Sequence, residues 1–202
     1  MMTIQEAWLI ANNCNEYHVE NNEFGITVDD EAKTVYFAIE GSDGKGFDGW
    51  KLTKDWASNF KFIKVYHGKF RVHKGFYESW QMIKPKVFEL LIPYTTQGYK
   101  VVGVHFSRGC GTGSIAHEDI QYCLTSNIES IFIAMPRAWG WKNKKIIKER
   151  FKNCYTFRVN KDWVPRLPFK WMGFIDPCKI ITLKAKYGFF KVTKNHMSYR
   201  EF

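Results

Sequence analysis

The sequence predicts an α/β fold in which a mainly parallel sheet is flanked by helices. Short apolar runs rich in β-branched residues, such as residues 34–39 (TVYFAI) and 99–104 (YKVVGV), alternate with longer segments whose apolar residues recur at helical spacing. Hydrophobic residues make up 45% of the chain and aromatic residues 17%, which is typical of a globular protein. Strands that alternate with helices are joined by crossovers, and their sheet is therefore mainly parallel.

The same patterns assign the elements in order along the chain. Helices are predicted at residues 4–19, 75–96 and 113–123, and a basic helix within residues 142–152. Strands are predicted at residues 24–28, 34–39, 61–66, 99–104, 131–134 and 155–159. The glycine-rich residues 41–49 predict a loop and residues 55–60 a helical turn. No repeat or linker interrupts this order, so we expect one domain over residues 1–202.

Composition also bears on the compartment. No apolar run approaches the ~20 residues that span a bilayer, and the first six residues lack the basic and apolar regions of a secretory signal. The five cysteines are an odd number without a CxxC pair. This pattern favours free thiols in a reducing compartment over a disulfide framework or a zinc site. We therefore expect a cytoplasmic protein that uses no metal.

The chain is basic, with 30 Lys and Arg residues against 20 Asp and Glu residues and a formal net charge of +10. The densest basic stretch is residues 142–152, in which Ile147 and Phe151 lie four positions apart and share one helix face. This pattern fits an ordinary surface helix, and it equally fits a peripheral contact with an anionic membrane surface. No motif of a known nucleic-acid-binding family accompanies the basic residues, so we do not expect nucleic-acid binding.

A strand, a tight turn and a helix surround Ser107. Residues 100–106 form an apolar run, residues 107–111 (SRGCG) are mostly small, and a helix follows. This context is that of a nucleophile elbow, in which a sharp turn lifts a serine hydroxyl clear of the sheet edge. An alternative is a glycine-rich turn that cradles an anion at a helix N-terminus. Asp162 and His196 follow Ser107 in the chain order that α/β-hydrolases use for a catalytic triad.

Several blocks of the chain, between residue 34 and residue 202, resemble the class 3 lipase family. Residues 35–42 (VYFAIEGS) are similar to the family's strand ending in F-R-G-T or F-R-G-S. Residues 105–119 align without gaps to G-H-S-L-G-G-A-L-A-x-L-A-A-x-D. Four further blocks resemble motifs of the family. Residues 55–59 are similar to the family's D-W-x-x-N/D, and residues 72–76 to its V-H-x-G-F. Residues 160–168 are similar to its N-x-x-D-x-V-P-R-L-P, and residues 196–199 to the last four positions of its D-H-x-x-Y. The resemblance implies an α/β-hydrolase fold.

The resemblance also implies site residues. Ser107 would be the nucleophile, His196 the general base and Asp162 the acid that orients it. The backbone N–H of Arg108 and the residue Ser42 would form the oxyanion hole. Residues 43–52 occupy the position of the family's lid, where Phe47, Trp50 and Leu52 would cover an apolar acyl site or belong to an inert surface loop.

The implied activity is hydrolysis of carboxylic esters of the lipase or esterase type. The substrates would be acyl esters such as glycerides or phospholipids, and the reaction would need neither a cofactor nor a metal.

The chain departs from the family's pattern close to the expected nucleophile. His105 and Phe106 stand in place of Gly-His, Cys110 replaces the second glycine of the motif, and Glu40 stands where the family often has Arg. We expect the β-carbon and imidazole of His105 to crowd the turn. These departures support a second hypothesis, in which a catalytically impaired hydrolase fold serves as a binding module.

Overall fold

The computed structural model describes residues 2–12, 17–19, 22–39, 62–188 and 191–202. Within them the strands are β1 (Tyr17–Val19), β2 (Asn22–Asp29), β3 (Thr34–Ile39), β4 (Lys64–His67), β5 (Phe70–His73), β6 (Lys100–Phe106), β7 (Ile128–Ile133), β8 (Trp139–Gly140), β9 (Tyr155–Val159), β10 (Phe174–Ile175) and β11 (Lys179–Leu183). The helices are α1 (Ile4–Asn12), α2 (Lys74–Thr95), α3 (Arg108–Cys123), α4 (Lys144–Arg150) and α5 (Val192–Met197). Single 3₁₀ turns form at Val164–Arg166, Lys170–Met172 and Ser198–Glu201.

A seven-stranded sheet in the order β1-β2-β3-β6-β7-β9-β11 forms the centre of the fold. The five strands from β3 to β11 are parallel, whereas β1 and β2 add an antiparallel edge. A smaller antiparallel sheet has the order β10-β8-β5-β4. The prediction of a mainly parallel sheet is thus confirmed. The central position of β6 explains its apolar sequence, because helices cover both of its faces.

The two faces of the main sheet bury separate apolar clusters. Val101 of β6 packs in the larger cluster together with Trp80 of α2 and Ile115 of α3. Val102 and Val104 point to the opposite face and pack in the cluster that contains α1. This alternation follows from the two-residue period of a strand. It places His105 on the side of the sheet that α3 covers.

Several sequence-based assignments differ from the structure. The predicted helix at residues 4–19 ends at Asn12, and Tyr17–Val19 form a strand paired with β2. This pairing overrides the local helical pattern. Helix α3 begins at Arg108, well before the predicted residue 113, because its glycine-rich first turns resemble a loop in sequence. The short strands β5, β8 and β10 and the edge strand β11 were not predicted.

The predicted loop at residues 41–49 and the helical turn at residues 55–60 lie outside the described residues. None of the helices in the described ranges has the length and hydropathy needed to cross a membrane. The prediction of one domain over residues 1–202 stays a prediction.

Candidate active site

Ser107 occupies the sharp turn between β6 and α3. Its backbone adopts φ 50° and ψ −122°, a conformation that L-residues rarely adopt. Such a conformation costs on the order of 1–3 kcal/mol and persists only where the surroundings fix it. Here the N–H of Ser107 donates to the carbonyl oxygen of Ile133, at the end of the neighbouring β7, over 2.9 Å. The turn therefore has the strained geometry that a nucleophile elbow requires.

The three residues expected to form a triad meet in one buried cluster. Ser107 Oγ lies 2.8 Å from His196 Nε2, and His196 Nδ1 lies 2.8 Å from Asp162 Oδ2. All three side chains are buried, and those of His196 and Asp162 are fully so. A neutral imidazole that donates from Nδ1 to the carboxylate presents an unprotonated Nε2 to the serine hydroxyl. The arrangement has the geometry of an activated nucleophile with an oriented base.

Asp162 is held by donors on both of its carboxylate oxygens. The backbone N–H of Val164 donates to Oδ1 over 3.0 Å, and the hydroxyl of Tyr199 donates to Oδ2 over 2.9 Å. The Tyr199 hydroxyl in turn accepts the N–H of Val159 over 2.9 Å. Burial, and then the charge of Asp162, raise the pKa of Tyr199 well above its usual value, so the phenol remains a donor. The sequence patterns predict no role for Tyr199, although it is the last residue of the final motif block.

Phe106 packs against the candidate base. Its ring stacks on the imidazole of His196 with centroids 5.2 Å apart, and Trp8 of α1 contacts the Phe106 ring edge-to-face with centroids 4.7 Å apart. Phe106 stands where the family motif has histidine. In this chain it therefore forms an apolar wall that keeps the His196 ring in place.

His105 does not crowd the elbow, contrary to the expectation from the sequence. Its ring fills space that two glycines leave open. A β-carbon on Gly113 would lie 2.4 Å from the imidazole, and one on Gly103 would lie 2.9 Å from its Nε2. The family motif has alanine at the position of Gly113, so this glycine accommodates the larger residue at position 105. The turn is thereby relieved of the predicted clash.

The imidazole of His105 also makes a specific hydrogen bond. Its Nδ1 accepts the backbone N–H of Ile39, the last residue of β3, over 3.0 Å. Phe37 contacts the ring edge-to-face at 5.4 Å and Phe132 stacks on it at 5.7 Å. Burial, and then the neighbouring His117, lower the pKa of His105 to about 3. His105 is therefore a neutral acceptor that fixes the end of β3, three residues before Ser42.

Replacing His105 by Ala is expected to lower the free energy of unfolding by about 2–4 kcal/mol, because it opens a cavity and leaves the N–H of Ile39 without its acceptor. His105→Asn is the matched variant, since its Oδ1 occupies nearly the position of Nδ1. We expect Asn to recover about half of the loss. Urea unfolding at pH 7 measures both effects. Equal losses for the two variants would show that the hydrogen bond contributes nothing.

Cys110 fits the position of the motif's second glycine. Its Sγ lies 3.1 Å from the carbonyl oxygens of both His105 and Ile133, which share its single hydrogen. Burial raises the pKa of the Cys110 thiol well above its usual value. The thiol is thus an unreactive donor that ties the first turn of α3 to the ends of β6 and β7.

One of the two expected oxyanion-hole donors, Arg108, lies among the described residues. Arg108 is the first residue of α3, so its backbone N–H has no acceptor within the helix and lies beside Ser107. Its side chain turns away and donates to Asn22 Oδ1 over 2.8 Å. Burial lowers the pKa of the Arg108 guanidinium.

The second expected donor, Ser42, lies outside the described residues, as do Glu40 and the expected acyl-site residues Phe47, Trp50 and Leu52. In the ranges that the structure describes, no three His, Cys, Asp or Glu side chains come together in a metal-binding arrangement.

Comparison with known families gives one match that covers more than half of the chain. Residues 37–172 match the model described as lipase (class 3). The matched range contains Ser107 and Asp162, while His196 lies beyond it. No curated protein is similar to the chain at a significant level.

Solved structures with a similar fold include fungal proteins. A mutant form of MDLA from Penicillium cyclopium superposes with a TM-score of 0.71 and 22% identity, covering 85% of this chain and 63% of that chain. The triacylglyceride lipase of Rhizomucor miehei gives a TM-score of 0.68 and 20% identity, over 80% of this chain and 61% of that one.

A further structure is titled as a triacylglycerol lipase whose catalytic centre is a serine protease triad. It gives a TM-score of 0.70 and 18% identity, over 89% of this chain and 76% of that one. These similarities confirm the α/β-hydrolase fold. The chain spans less than two thirds of the length of the first two structures.

Proposed function

Because the chain belongs to the class 3 lipase family, we propose that it hydrolyses carboxylic esters through Ser107, His196 and Asp162. One observation carries the proposal, namely the continuous hydrogen-bonded path from Ser107 Oγ through His196 to Asp162, with both distances 2.8 Å. The strained turn at Ser107 and the two donors that hold Asp162 support it further.

Acylation begins with attack of Ser107 Oγ on the ester carbonyl carbon. The hydroxyl proton passes to His196 Nε2, and the buried carboxylate of Asp162 stabilises the imidazolium that forms. The carbonyl oxygen becomes an oxyanion, which the backbone N–H of Arg108 stabilises together with Ser42. Collapse of this intermediate breaks the C–O bond of the ester, and the departing alkoxide takes the proton from Nε2. The alcohol leaves and the acyl group remains on Ser107.

Water then releases the acyl group by the same route. His196 Nε2 removes a proton from water as the oxygen attacks the acyl carbon, and it returns that proton to Ser107 Oγ when the acyl bond breaks. The products are a carboxylic acid and the free serine. No other group needs to change its protonation state.

We propose lipid acyl esters as the substrate class. The printed descriptions of the similar structures name a triacylglyceride lipase and a triacylglycerol lipase, and these support glycerides as the first candidates. Phospholipids are the second class of ester that fits the same chemistry. Both present an acyl carbonyl to Ser107, and they differ in the leaving alcohol.

The test is hydrolysis of p-nitrophenyl esters from acetate to palmitate, followed by tributyrin and phosphatidylcholine. Ser107→Ala is expected to lower kcat by about 10⁴-fold or more, since it removes the nucleophile. Ser126→Ala is the matched control because Ser126 is exposed and lies in the loop after α3. A fluorophosphonate should also label wild-type protein at Ser107, with loss of fluoride, and leave Ser107→Ala unlabelled.

Two results would overturn the proposal. Hydrolysis that survives Ser107→Ala would assign the activity to another group. A folded protein that neither cleaves any of these esters nor reacts with the fluorophosphonate would favour the binding-module hypothesis.

A further inference from the structure

A groove of about 830 Å³ outside the triad is lined by cations. Strands β4, β5 and β8, helix α4 and the 3₁₀ turn at Lys170–Met172 contribute to its walls. Within the described ranges its lining includes six basic residues, namely Lys64, Arg71, Lys142, Lys144, Lys145 and Lys170. Among the residues that the structure describes, no Asp or Glu lines it, so the described part of the groove concentrates a substantial part of the chain's net charge of +10.

Few carboxylates of the described residues lie close to the charges of this groove. Lys170 Nζ lies 3.7 Å from Asp176, a carboxylate that also pairs with Arg137 and Arg158. For the other five cations, no carboxylate lies within 4 Å in the part of the chain that the structure describes. Burial, and then the charge of Arg71, lower the pKa of Lys64, whose Nζ donates to the carbonyl of Met172 over 2.6 Å. The groove therefore presents a positive field to its surroundings.

Two exposed tryptophans accompany these cations. Trp141 lines the groove and is 67% exposed, and Trp171 is 78% exposed. Trp171 lines a second groove and stacks with Phe169, with ring centroids 6.0 Å apart. Exposed indoles are costly in water and favourable at a bilayer interface, where one end of the ring is apolar and the other is hydrated.

The two grooves adjoin each other and extend to the residue that follows Asp162 in the chain. Lys170 lines both of them. The second groove also includes Trp163, which directly follows Asp162 in the chain. We define the basic–aromatic surface as these two grooves together. It extends from α4 to the loop that carries the triad acid.

We propose that the basic–aromatic surface binds an anionic phospholipid bilayer. This inference rests on the proposed function, since it names the lipid surface at which the ester substrate is met. Clusters of four to eight basic residues are attracted to anionic leaflets, and the two tryptophans add interfacial anchors. Five of the six cations are Lys, a point charge without the fork with which Arg binds phosphates bidentately. A diffuse negative surface fits this set better than a nucleic-acid strand does.

The test is flotation of the protein with vesicles of phosphatidylcholine alone or with 30% phosphatidylserine. The variant Lys142→Gln/Lys144→Gln/Lys145→Gln removes three exposed charges of the surface. The control Lys33→Gln/Lys179→Gln/Lys184→Gln removes three exposed charges elsewhere and gives the same net charge. Each lysine near an anionic surface contributes about fivefold to partitioning, so the first variant should bind on the order of 100-fold more weakly. The control should lose much less.

Further experiments distinguish membrane binding by this surface from catalysis. Trp141→Ala/Trp171→Ala should also weaken vesicle binding, and all variants should cleave soluble p-nitrophenyl butyrate at the wild-type rate. Binding should fall steeply when NaCl rises from 0.1 to 0.5 M. Because flotation does not require turnover, it remains informative if no ester is cleaved.

Three results would overturn the proposal. The first is equal binding to both kinds of vesicle, and the second is an equal loss in the two triple lysine variants. The third is that the protein binds neither kind of vesicle but binds a single-stranded oligonucleotide of 20 nucleotides through the same lysines. That result would assign the surface to nucleic-acid binding.

Discussion

Asp162→Asn is expected to lower kcat for ester hydrolysis by about 10³–10⁴-fold while leaving the fold intact. An asparagine amide at this position donates to His196 Nδ1, whereas the carboxylate accepts from it. The imidazole then carries its proton on Nε2 and cannot take the proton of Ser107. The N–H of Val164 still finds an acceptor in the asparagine carbonyl oxygen, so the local structure keeps this contact.

The measurement is steady-state hydrolysis of p-nitrophenyl butyrate, with circular dichroism to verify the fold. Asp30→Asn is the matched control, because the same atom changes at an exposed position. It should retain full activity. If Asp162→Asn kept more than a tenth of kcat while Ser107→Ala was inactive, Asp162 would not be the residue that orients the base.

The protein is expected to unfold between about pH 5 and pH 4. Burial is the largest cause that lowers the pKa of His73 and His117 to about 4, and that of His105 to about 3. In the unfolded chain these groups titrate near 6.5. Below that pH the unfolded state binds about three more protons than the folded state. Stability is complete above pH 6.5 and falls by about 4 kcal/mol per pH unit towards the folded pKa values, against a total of about 5–15 kcal/mol.

Asp119 acts in the same direction at lower pH. Its pKa is lowered to about 2, with hydrogen bonds from His67, Lys84 and Trp80 outweighing the effect of burial. The stabilisation from this carboxylate is present above its unfolded pKa of about 3.9 and is lost as pH falls towards 2.

Urea titrations at pH 7, 6 and 5 measure this pH dependence. His105→Asn should reduce the slope between pH 6 and pH 5 by about one proton, or roughly a third. His18→Gln serves as the control because the side chain of His18 is 59% exposed. A slope of less than one proton for the wild type would show that the buried histidines are solvated or already protonated in the folded state.

The sequence predicts the centre of this fold better than its edges. Residues 34–39 and 155–159 were predicted as strands with their observed bounds. Residues 34–39 form an apolar run, as is typical of a strand that is buried on both faces. The strand at residues 17–19 was not predicted, since it depends on pairing with β2. The two-residue strands β8 and β10 carry too few residues for any periodicity.

The candidate triad was predictable because the motif blocks and their order along the chain are visible in the sequence itself. The hydrogen bonds that hold the triad and the elbow in place were not predictable in this way. The hydrogen bond from Tyr199 to Asp162 joins residues 37 positions apart, and that from Ile39 to His105 joins residues 66 positions apart. Pairings of this kind depend on how the elements pack. For the same reason, the clash that the motif predicts for His105 does not occur in the folded protein.

The fit of His105 between Gly103 and Gly113 couples these three positions of the sequence. A histidine at position 105 requires both glycines, while glycine at all three positions would leave a void the size of an imidazole ring. Substitutions in this trio are therefore epistatic, and an evolutionary path to this elbow must pass through the small residues before the large one. A designer who restored the family's Gly-His-Ser sequence at residues 105–107 alone would create a hole beside the nucleophile.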